Sequence, residues 1–323
     1  MTYTPFSLII TEPQSFDLLN NMRLLVIIVT FNGMKWAERC FSSLETSVLR
    51  PDVFVVDNGS TDGTIDFIKS HYPNTIVIEN SKNVGFGQAN NQGLQYALDH
   101  GYDYIYLMNQ DAWVMPDTLS RLTEIMEVHP EYGILSPMQL ESNGQRMDNN
   151  FASLTLGRLM NSPDFINDLY FKRLQDTSEV SFVMAAHWMV SLSCLRAVGG
   201  FSPTFHLYGE DNNYIQRAHT HGFKVGIAPG VHAVHNREYR EKTKEEIIFF
   251  NFYNVWAVNL STPSHLSWTI GITIFIDMCT KTIEYKSFIP FKEWMRLLFH
   301  SRSIRRNRKV SMEERCAFLK DNL

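Results

Sequence analysis

The chain has 323 residues, of which 44% are hydrophobic and 20% are charged. Such a chain is long enough for one large domain or two smaller ones, and its apolar content is ordinary for a globular core. The 4 cysteines are far apart and form no C-x-x-C pair, which argues against a disulfide framework and a zinc site. We therefore predict free thiols and a cytoplasmic protein.

The charge distribution separates the C-terminal region from the rest. The net charge is −5, yet residues 281–310 hold nine Lys or Arg against two Glu, a local charge of +7. A nucleic-acid-binding protein more often carries its basic patch on the main domain. We therefore expect no nucleic-acid partner, but a basic tail attached to an acidic, enzyme-like body.

The first 22 residues lack the features of a secretory signal, which are a basic start, a long apolar stretch and a small-residue cleavage site. Strand-like sequence begins only at Leu24. We treat residues 1–22 as an N-terminal extension and assign them no function.

Strands and helices alternate through the first half of the chain. Apolar, β-branched runs predict buried strands at 24–31, 52–58, 74–80 and 102–108. Helices are predicted from Met34 to about Val48, from Ser60 or Thr61 onward, and from about Phe86 to His100. This alternation predicts an α/β fold with a doubly wound, mostly parallel sheet flanked by helices, whose ligands bind at the carboxyl ends of the strands.

Polar side chains follow three of these strands at the point where each strand ends. They are Thr30 to Asn32, then Asp57 with Asn58, then Asn109 to Asp111. A single Asp after a strand is usually a turn or capping residue. Because the carboxyl ends of parallel strands meet at one edge, the three clusters together predict a crevice for a sugar, a ribose or a metal-bound diphosphate.

The motifs at these positions resemble those of family 2 glycosyltransferases with the GT-A fold. The resemblance rests on "VFVVDNGSTDGT", "NSKNVGFGQANNQGL" and "YIYLMNQDA", and on a second block from 183 to 235 that contains "LYGED". It covers roughly residues 24–236 and is nearest to the rhamnosyltransferase-like branch. A GT-A fold with a helical, basic C-terminal extension is what this resemblance implies.

The resemblance implies a donor-binding set along the first four strands. Its members are Thr30, Asn32, Asp57, Asn83, Gly85, Asn90 and Asn109. Thr30, Asn32 and Asp57 would contact the nucleobase and ribose, with the Asp57 carboxylate accepting from a pyrimidine imide N–H. Asn109 would face the ribose.

A divalent cation, Mg²⁺ or Mn²⁺, is implied at Asp111 and His235. Asn109 and Asp111 occupy the ends of the family's Asp-x-Asp motif, so this sequence has one negative charge fewer than many relatives. A cation held by Asp111 would neutralise charge on the leaving diphosphate. His232 is the alternative to His235, and a lone His near an apolar strand is more often structural.

The catalytic base is implied to be Asp211, supported by Glu210. A carboxylate within reach can take the proton of an acceptor hydroxyl as that hydroxyl attacks, in an inverting single displacement. The alternative is that both carboxylates have only a structural role, in which their negative charge stabilises the positive end of the helix dipole.

Other functions fit parts of the sequence. Gly85 and Gly87 with Asp103 downstream partly match the G-x-G-x-x-G motif of a nicotinamide or flavin oxidoreductase, but the third position is Asn90. A nucleotidyltransferase would need a Gly-rich, Arg-containing loop after the first strand, where this chain has "TFNGMKW". A sugar-binding protein without activity also remains open.

The C-terminal region suggests contact with a membrane. The run at 266–279 is too short, and too interrupted by Asp277, to span a bilayer. Residues 286–309 mix aromatic and aliphatic residues with Lys and Arg, as interfacial helices do. The alternative is that the apolar residues pack on the catalytic domain while the basic ones are solvated.

We therefore predict three regions: the extension at 1–22, a glycosyltransferase domain at 23–240 (donor side 23–135, acceptor side 136–240) and a helical extension at 241–323. The expected activity is transfer of a sugar from dTDP-rhamnose or a UDP-hexose to a glycan or polyprenyl-linked acceptor in bacterial cell-surface polysaccharide synthesis. The expected location is the cytoplasm, with peripheral contact at the inner face of the membrane.

Overall fold

The computed structural model describes residues 22–157, 163–238, 241–262, 269–313 and 315–320. Apart from its last residue, the N-terminal extension predicted over 1–22 lies outside these ranges.

Nine strands of the described chain form one mixed sheet. They are β1 (Leu24–Thr30), β2 (Asp52–Asp57), β3 (Ile76–Glu79), β4 (Tyr104–Asn109), β5 (Ala112–Val114), β6 (Tyr132–Leu140), β7 (Ser178–Glu179), β8 (His187–Ser191) and β9 (Lys224–His235). The order across the sheet is β3-β2-β1-β4-β8-β6-β9-β5, and β7 pairs with β9. The four strands predicted from the sequence are β1 to β4.

The N-terminal half of the sheet is parallel. Strand β1 pairs in parallel with β2 on one side and with β4 on the other, and β3 pairs in parallel with β2. Strand β8 then enters antiparallel to β4, so the second half mixes both directions. The predicted α/β fold class is confirmed, with its parallel part confined to β1–β4 and the β6–β9 pair.

Helices cover both faces of this sheet. They are α1 (Met34–Glu45), α2 (Thr64–His71), α3 (Phe86–His100), α4 (Thr118–Val128), α5 (Pro163–Tyr170), α6 (Leu192–Val198), α7 (Glu210–Thr220), α8 (Lys244–Ile248), α9 (Val255–Ser261), α10 (Ile270–Glu284) and α11 (Ile289–Glu313). Two further segments, Phe151–Leu156 and Phe249–Asn254, are π-helical.

Helix α2 does not begin where the sequence predicted. Ser60 or Thr61 was expected to cap it, but the Ser60 hydroxyl donates to Asp57 and the residue before the helix is Gly63. The helix begins at Thr64, whose N–H donates to the Asp62 carboxylate at 3.1 Å.

Alternate residues of the strands face two separate cores, as the two-residue period of a strand requires. Leu25 and Ile27 of β1 pack toward α3, α6 and α7, whereas Val26 and Ile28 pack toward α1, α2 and α4. Helix α3 lies so close to the sheet that a Cβ on Gly93 would be 2.8 Å from the Ile27 side chain.

A third core joins the C-terminal helices to the rest of the molecule. Phe252, Val258, Leu297 and Ile304 are buried together with Phe205, which belongs to the loop before α7. The C-terminal region is therefore helical, as predicted, and it shares a core with that loop. Among the helices the structure describes, none is both long and apolar enough to cross a membrane.

This shared core predicts a contrast between two adjacent leucines of α11. Leu297 is 2% exposed and Leu298 is 48% exposed. Leu297→Ala should lower the free energy of unfolding by about 2–5 kcal/mol because it removes buried methyl groups and leaves a cavity. Leu298→Ala should change it by less than about 0.5 kcal/mol. Urea unfolding of the full chain measures both, and equal effects would show that α11 is not part of the core.

Candidate active site

The predicted polar clusters do meet at one edge of the sheet. Because β1 lies between β2 and β4, Thr30 pairs with Asp57 and Val29 pairs with Asn109. The antiparallel β5–β9 pairing sets Ala112, which follows shortly after β4, opposite His235. The ends of β1, β2, β4 and β9 thus lie together at the edge of the sheet where the sequence predicts a crevice.

Asp57 organises the loop that follows β2. Its buried carboxylate accepts from the Thr30 hydroxyl at 2.8 Å, from the Gly59 and Ser60 N–H groups at 2.9 and 2.8 Å, and from the Ser60 hydroxyl. Four donors occupy about as many acceptor positions as a carboxylate has. In this structure Asp57 holds the loop in place, and its contact with a nucleobase stays a prediction.

Asn32 links the loops after β1 and β2. Its side-chain oxygen accepts from the Thr61 N–H at 2.9 Å, and its own N–H donates to the Ser60 hydroxyl at 2.9 Å. The backbone φ of Asn32 is +50°, a conformation that Asn tolerates better than most residues.

Gln110 ties the end of β1 to the end of β4, a role that the sequence analysis missed. Its side chain accepts from the Phe31 N–H at 2.9 Å and donates to the Phe31 carbonyl at 3.1 Å. A Cβ on Gly33 would be 2.3 Å from the Gln110 oxygen, so a larger residue there would displace the Gln110 side chain. No local sequence signal marks this pair, which is 79 residues apart.

The remaining predicted donor residues surround the start of α3. Asn83 is exposed and accepts from the Gly85 N–H at 2.8 Å. Asn90 is buried in the helix and donates to the Phe86 carbonyl at 3.0 Å. A Cβ on Gly85 would be 2.3 Å from the carbonyl oxygen of His206, so this loop touches the loop that leads to α7.

The two predicted metal ligands lie side by side. His235 Nε2 is 3.5 Å from Asp111 Oδ1 and 3.4 Å from Asn109 Nδ2. Burial raises the pKa of Asp111, but the hydrogen bond and charge of His235, with help from Arg237, outweigh it and leave that pKa below its usual value. The rival His232 is exposed, and at three residues from His235 it points to the opposite face of β9.

The donor set at this position fits a hard divalent cation only in part. A carboxylate oxygen and an imidazole nitrogen are both ligands for Mn²⁺, and Mg²⁺ is commonly held by one or two carboxylates plus substrate phosphates. Among the described residues, no group of three or more His, Cys, Asp or Glu could hold a metal ion. Asp111 and His235 would thus hold a cation whose other ligands are phosphate oxygens or water.

The two predicted catalytic acids begin α7. Burial raises the pKa of Asp211 despite its hydrogen bond from the Asn212 N–H and the charge of Arg237. Burial also raises the pKa of Glu210, and the neighbouring charge of Asp211 adds to this. Of the two carboxyl groups, Glu210 is the less accessible, and its Oε2 is buried with no hydrogen-bond partner among the described residues.

Two further residues of the crevice were missed in the sequence. Arg237 Nη2 is 3.4 Å from His235 Nδ1, and Arg237 Nε is 3.4 Å from Asp148 Oδ2. The positive charge of Arg237 favours the ionised form of both Asp111 and Asp211, and so opposes the effect of burial on the pKa of each. The spacing His235-x-Arg237 was available as a signal, but Asp148 lay in a segment that looked like an irregular loop.

Comparison with known proteins identifies the family. The family model described as "Glycosyl transferase family 2" matches residues 25–188. The N-acetylglucosaminyl-diphospho-decaprenol L-rhamnosyltransferase of Mycobacterium tuberculosis is 26% identical over 231 residues, which cover 66% of this chain and 75% of that protein.

Solved structures share the architecture. S. aureus TarS 1-349, in complex with UDP-GlcNAc, has a TM-score of 0.53 at 14% identity and covers 90% of this chain and 91% of that one. The mannosyltransferase PcManGT from Pyrobaculum calidifontis, in complex with GDP-Man and Mn²⁺, has a TM-score of 0.52 at 15% identity, covering 87% and 75%. The chain belongs to glycosyltransferase family 2, has the GT-A fold and is a glycosyltransferase, not an oxidoreductase.

Proposed function

We propose that this glycosyltransferase moves a sugar from a nucleotide-sugar donor to a hydroxyl of a lipid-linked glycan, with inversion at the anomeric carbon. The observation that carries the proposal is that Asp111 Oδ1 lies 3.5 Å from His235 Nε2, and that the charge of Arg237, next to His235, also acts on the half-buried Asp211 carboxyl. A base on one side and a diphosphate site on the other are what single displacement requires.

The donor would lie along the carboxyl ends of β1, β2 and β4. The Asn32–Thr61 and Phe31–Gln110 hydrogen bonds hold these loops together before a ligand binds, which lowers the entropy lost on binding. The proposed donor-side residues are Thr30, Asn32, Asp57, Asn83, Gly85, Asn90 and Asn109. Several of them act through loop geometry, since Asp57 and Asn90 are buried and bonded within the protein.

Asp111 and His235 are proposed to hold Mg²⁺ or Mn²⁺. When bound, the cation would neutralise charge that develops on the leaving nucleoside diphosphate. The Asp111 carboxylate is suited to this because its pKa stays low.

Asp211 is proposed as the base. The acceptor oxygen forms its bond to the anomeric carbon while the bond from that carbon to the diphosphate oxygen breaks, and the acceptor proton passes to the Asp211 carboxylate. A carboxyl of raised pKa is a better proton acceptor near neutral pH than an exposed Asp. Glu210 would support Asp211 from the core.

The M. tuberculosis relative suggests the substrates. Its name specifies rhamnosyl transfer to a diphospho-decaprenol carrying N-acetylglucosamine. We propose dTDP-rhamnose as the first donor to test and a UDP-hexose as the alternative, with a polyprenyl-linked acceptor. Nucleotide sugars should be screened for protection against thermal unfolding with and without Mn²⁺, since a ligand that binds only the folded state raises the melting temperature.

Asp211→Asn should lower the transfer rate by roughly 10²–10⁴-fold and leave donor affinity unchanged, because it removes the proton acceptor but keeps its shape. In the unchanged protein the rate needs the ionised carboxylate. It should therefore rise with pH over a range that lies above the usual titration range of Asp, because burial raises the pKa of Asp211. Steady-state rates as a function of pH and equilibrium donor binding measure both effects. Equal losses of affinity and turnover would show that Asp211 binds the donor and is not the base.

We also propose that α10 and α11 contact the membrane. Exposed apolar side chains recur at helical spacing in both helices, and Phe288 lies just before α11. Together we call them the C-terminal apolar face: Ile272, Phe275, Ile276, Ile283, Phe288, Phe291, Met295, Leu298 and Phe299. The same face of α11 continues into exposed basic residues, since Arg302, Arg305 and Lys309 follow Met295 and Leu298 at seven-residue steps. An apolar surface beside a basic one suits an anionic bilayer interface.

This face is connected to the proposed acceptor side. The ring of Tyr208, three residues before Asp211, lies 4.3 Å from that of Phe250. The next residue, Asn251, donates to the Tyr285 hydroxyl at the end of α10 at 2.9 Å. Protein bound through the C-terminal apolar face would thus hold this side of the crevice close to a lipid-linked acceptor.

The membrane proposal predicts a contrast between two sets of exposed apolar residues. The full chain should co-sediment with phosphatidylglycerol vesicles, and high salt should weaken binding. The double variant Phe288→Ser/Phe299→Ser, at positions 83% and 85% exposed, should weaken binding at least about tenfold because it removes inserted apolar surface. Val128→Ser, 73% exposed at the end of α4, is the control and should bind as before.

Donor hydrolysis should survive in all of these variants. Truncation before α10 is unsuitable as a test, because Ile274, Leu297 and Ile304 belong to a shared core. If the double variant and the control partition alike, the C-terminal apolar face does not bind lipid.

A further inference from the structure

Arg237 lies beside His235 and Asp148, and part of its side chain is not bonded within the protein. Its Nε contacts Asp148 Oδ2 at 3.4 Å, and its Nη2 lies 3.4 Å from His235 Nδ1 and from Met184 Sδ. The side chain is still 38% exposed. Part of the guanidinium can therefore meet a ligand while the rest is held.

Asp148 fixes this orientation. Its carboxyl is buried, with Oδ1 accepting from the Phe151 N–H at 2.8 Å and Oδ2 facing Arg237 Nε. Its own N–H donates to the carbonyl of Gln139 in β6 at 2.9 Å. The acid is thus anchored to the sheet and to the π-helical segment, so it can restrict the rotamers of the long Arg237 side chain.

Arg237 places a positive charge beside His235 of the proposed metal pair. This charge also favours the ionised form of Asp111 and of Asp211. Asn109 stands where the family's motif usually has an Asp, so the crevice holds one negative charge fewer to attract a cation. A guanidinium beside the metal pair would share the task of balancing a polyphosphate.

We propose that Arg237, oriented by the positioning residue Asp148, binds the diphosphate of the donor and stabilises it as it leaves. This inference rests on the proposed function, because it assigns a new residue to the same site. As the bond between the anomeric carbon and the diphosphate oxygen breaks, its electron pair stays on that oxygen, and the Arg237 N–H groups donate hydrogen bonds to the developing charge. No proton leaves Arg237. Its fixed charge also predicts nucleotide binding that survives removal of metal.

Binding of nucleoside diphosphates and monophosphates tests this assignment. With UDP, UMP, dTDP and dTMP as probes in the presence of a chelator, Arg237→Gln should weaken diphosphate binding about tenfold or more and monophosphate binding less, because a charge-assisted hydrogen bond to the second phosphate is lost. Arg237→Lys should restore part of the affinity. Arg146→Gln, at an exposed arginine two residues before Asp148, is the matched control and should bind as the unchanged protein does.

The role of Asp148 is tested by the same ratio of diphosphate to monophosphate affinity. Asp148→Asn should lower that ratio by a smaller factor than Arg237→Gln, and the double variant should lose no more than Arg237→Gln alone, because both changes act through one guanidinium. A purely structural role would weaken all four nucleotides equally and lower the melting temperature.

The outcomes separate the inference from the proposed function. If the unchanged protein and Arg237→Gln bind a nucleoside diphosphate with the same affinity, the inference is overturned and the glycosyl-transfer proposal stands. If the unchanged protein binds neither UDP nor dTDP, with or without Mn²⁺, the donor site itself is wrong and both proposals fall.

Discussion

Parallel pairing of β1 with β2 and β4 is the constraint on which the rest of the site depends. It brings the ends of three strands to one edge and places Thr30 opposite Asp57. The backbone and side-chain groups beyond these ends would be left without partners if the loops were free. The hydrogen bonds of Asp57, Asn32 and Gln110 satisfy them and hold the loops in one arrangement.

The second half of the sheet contributes the other residues of the site through antiparallel pairing. The antiparallel β5–β9 pair sets His235 beside the residues that follow β4, and the next residues of the chain include Arg237. The charge of this arginine acts on both Asp111 and Asp211. This arrangement keeps Asp111 ionised while Asp211 retains a raised pKa, so two acids of the same type are suited to different tasks.

Sequence periodicity was sufficient for the local elements. Helix α3 was predicted at the residues where it is found, and the four predicted strands are present with their ends shifted by two residues at most. These elements follow from apolar patterning within a short window. The clustering of polar residues at one edge of the sheet could also be predicted from the sequence, because it depends only on the strands being parallel.

The missed features depend on contacts between distant parts of the chain. Gln110 pairs with Phe31 across 79 residues, and Arg237 meets Asp148 across 89. The start of α2 was misplaced for a local reason, since the hydroxyl of Ser60, one of the two predicted caps, donates to Asp57 three residues before it. In α11, Leu297 is buried and the next residue, Leu298, is exposed. This difference depends on which side of the helix faces the third core.

The most direct test of the central claim is a crystal structure of the protein with dTDP and Mn²⁺, with the manganese located by its anomalous scattering. The account predicts an anomalous peak at the Asp111–His235 pair, with the diphosphate within hydrogen-bond reach of Arg237. A nucleotide bound away from the ends of β1, β2 and β4, or manganese bound away from Asp111 and His235, would contradict it.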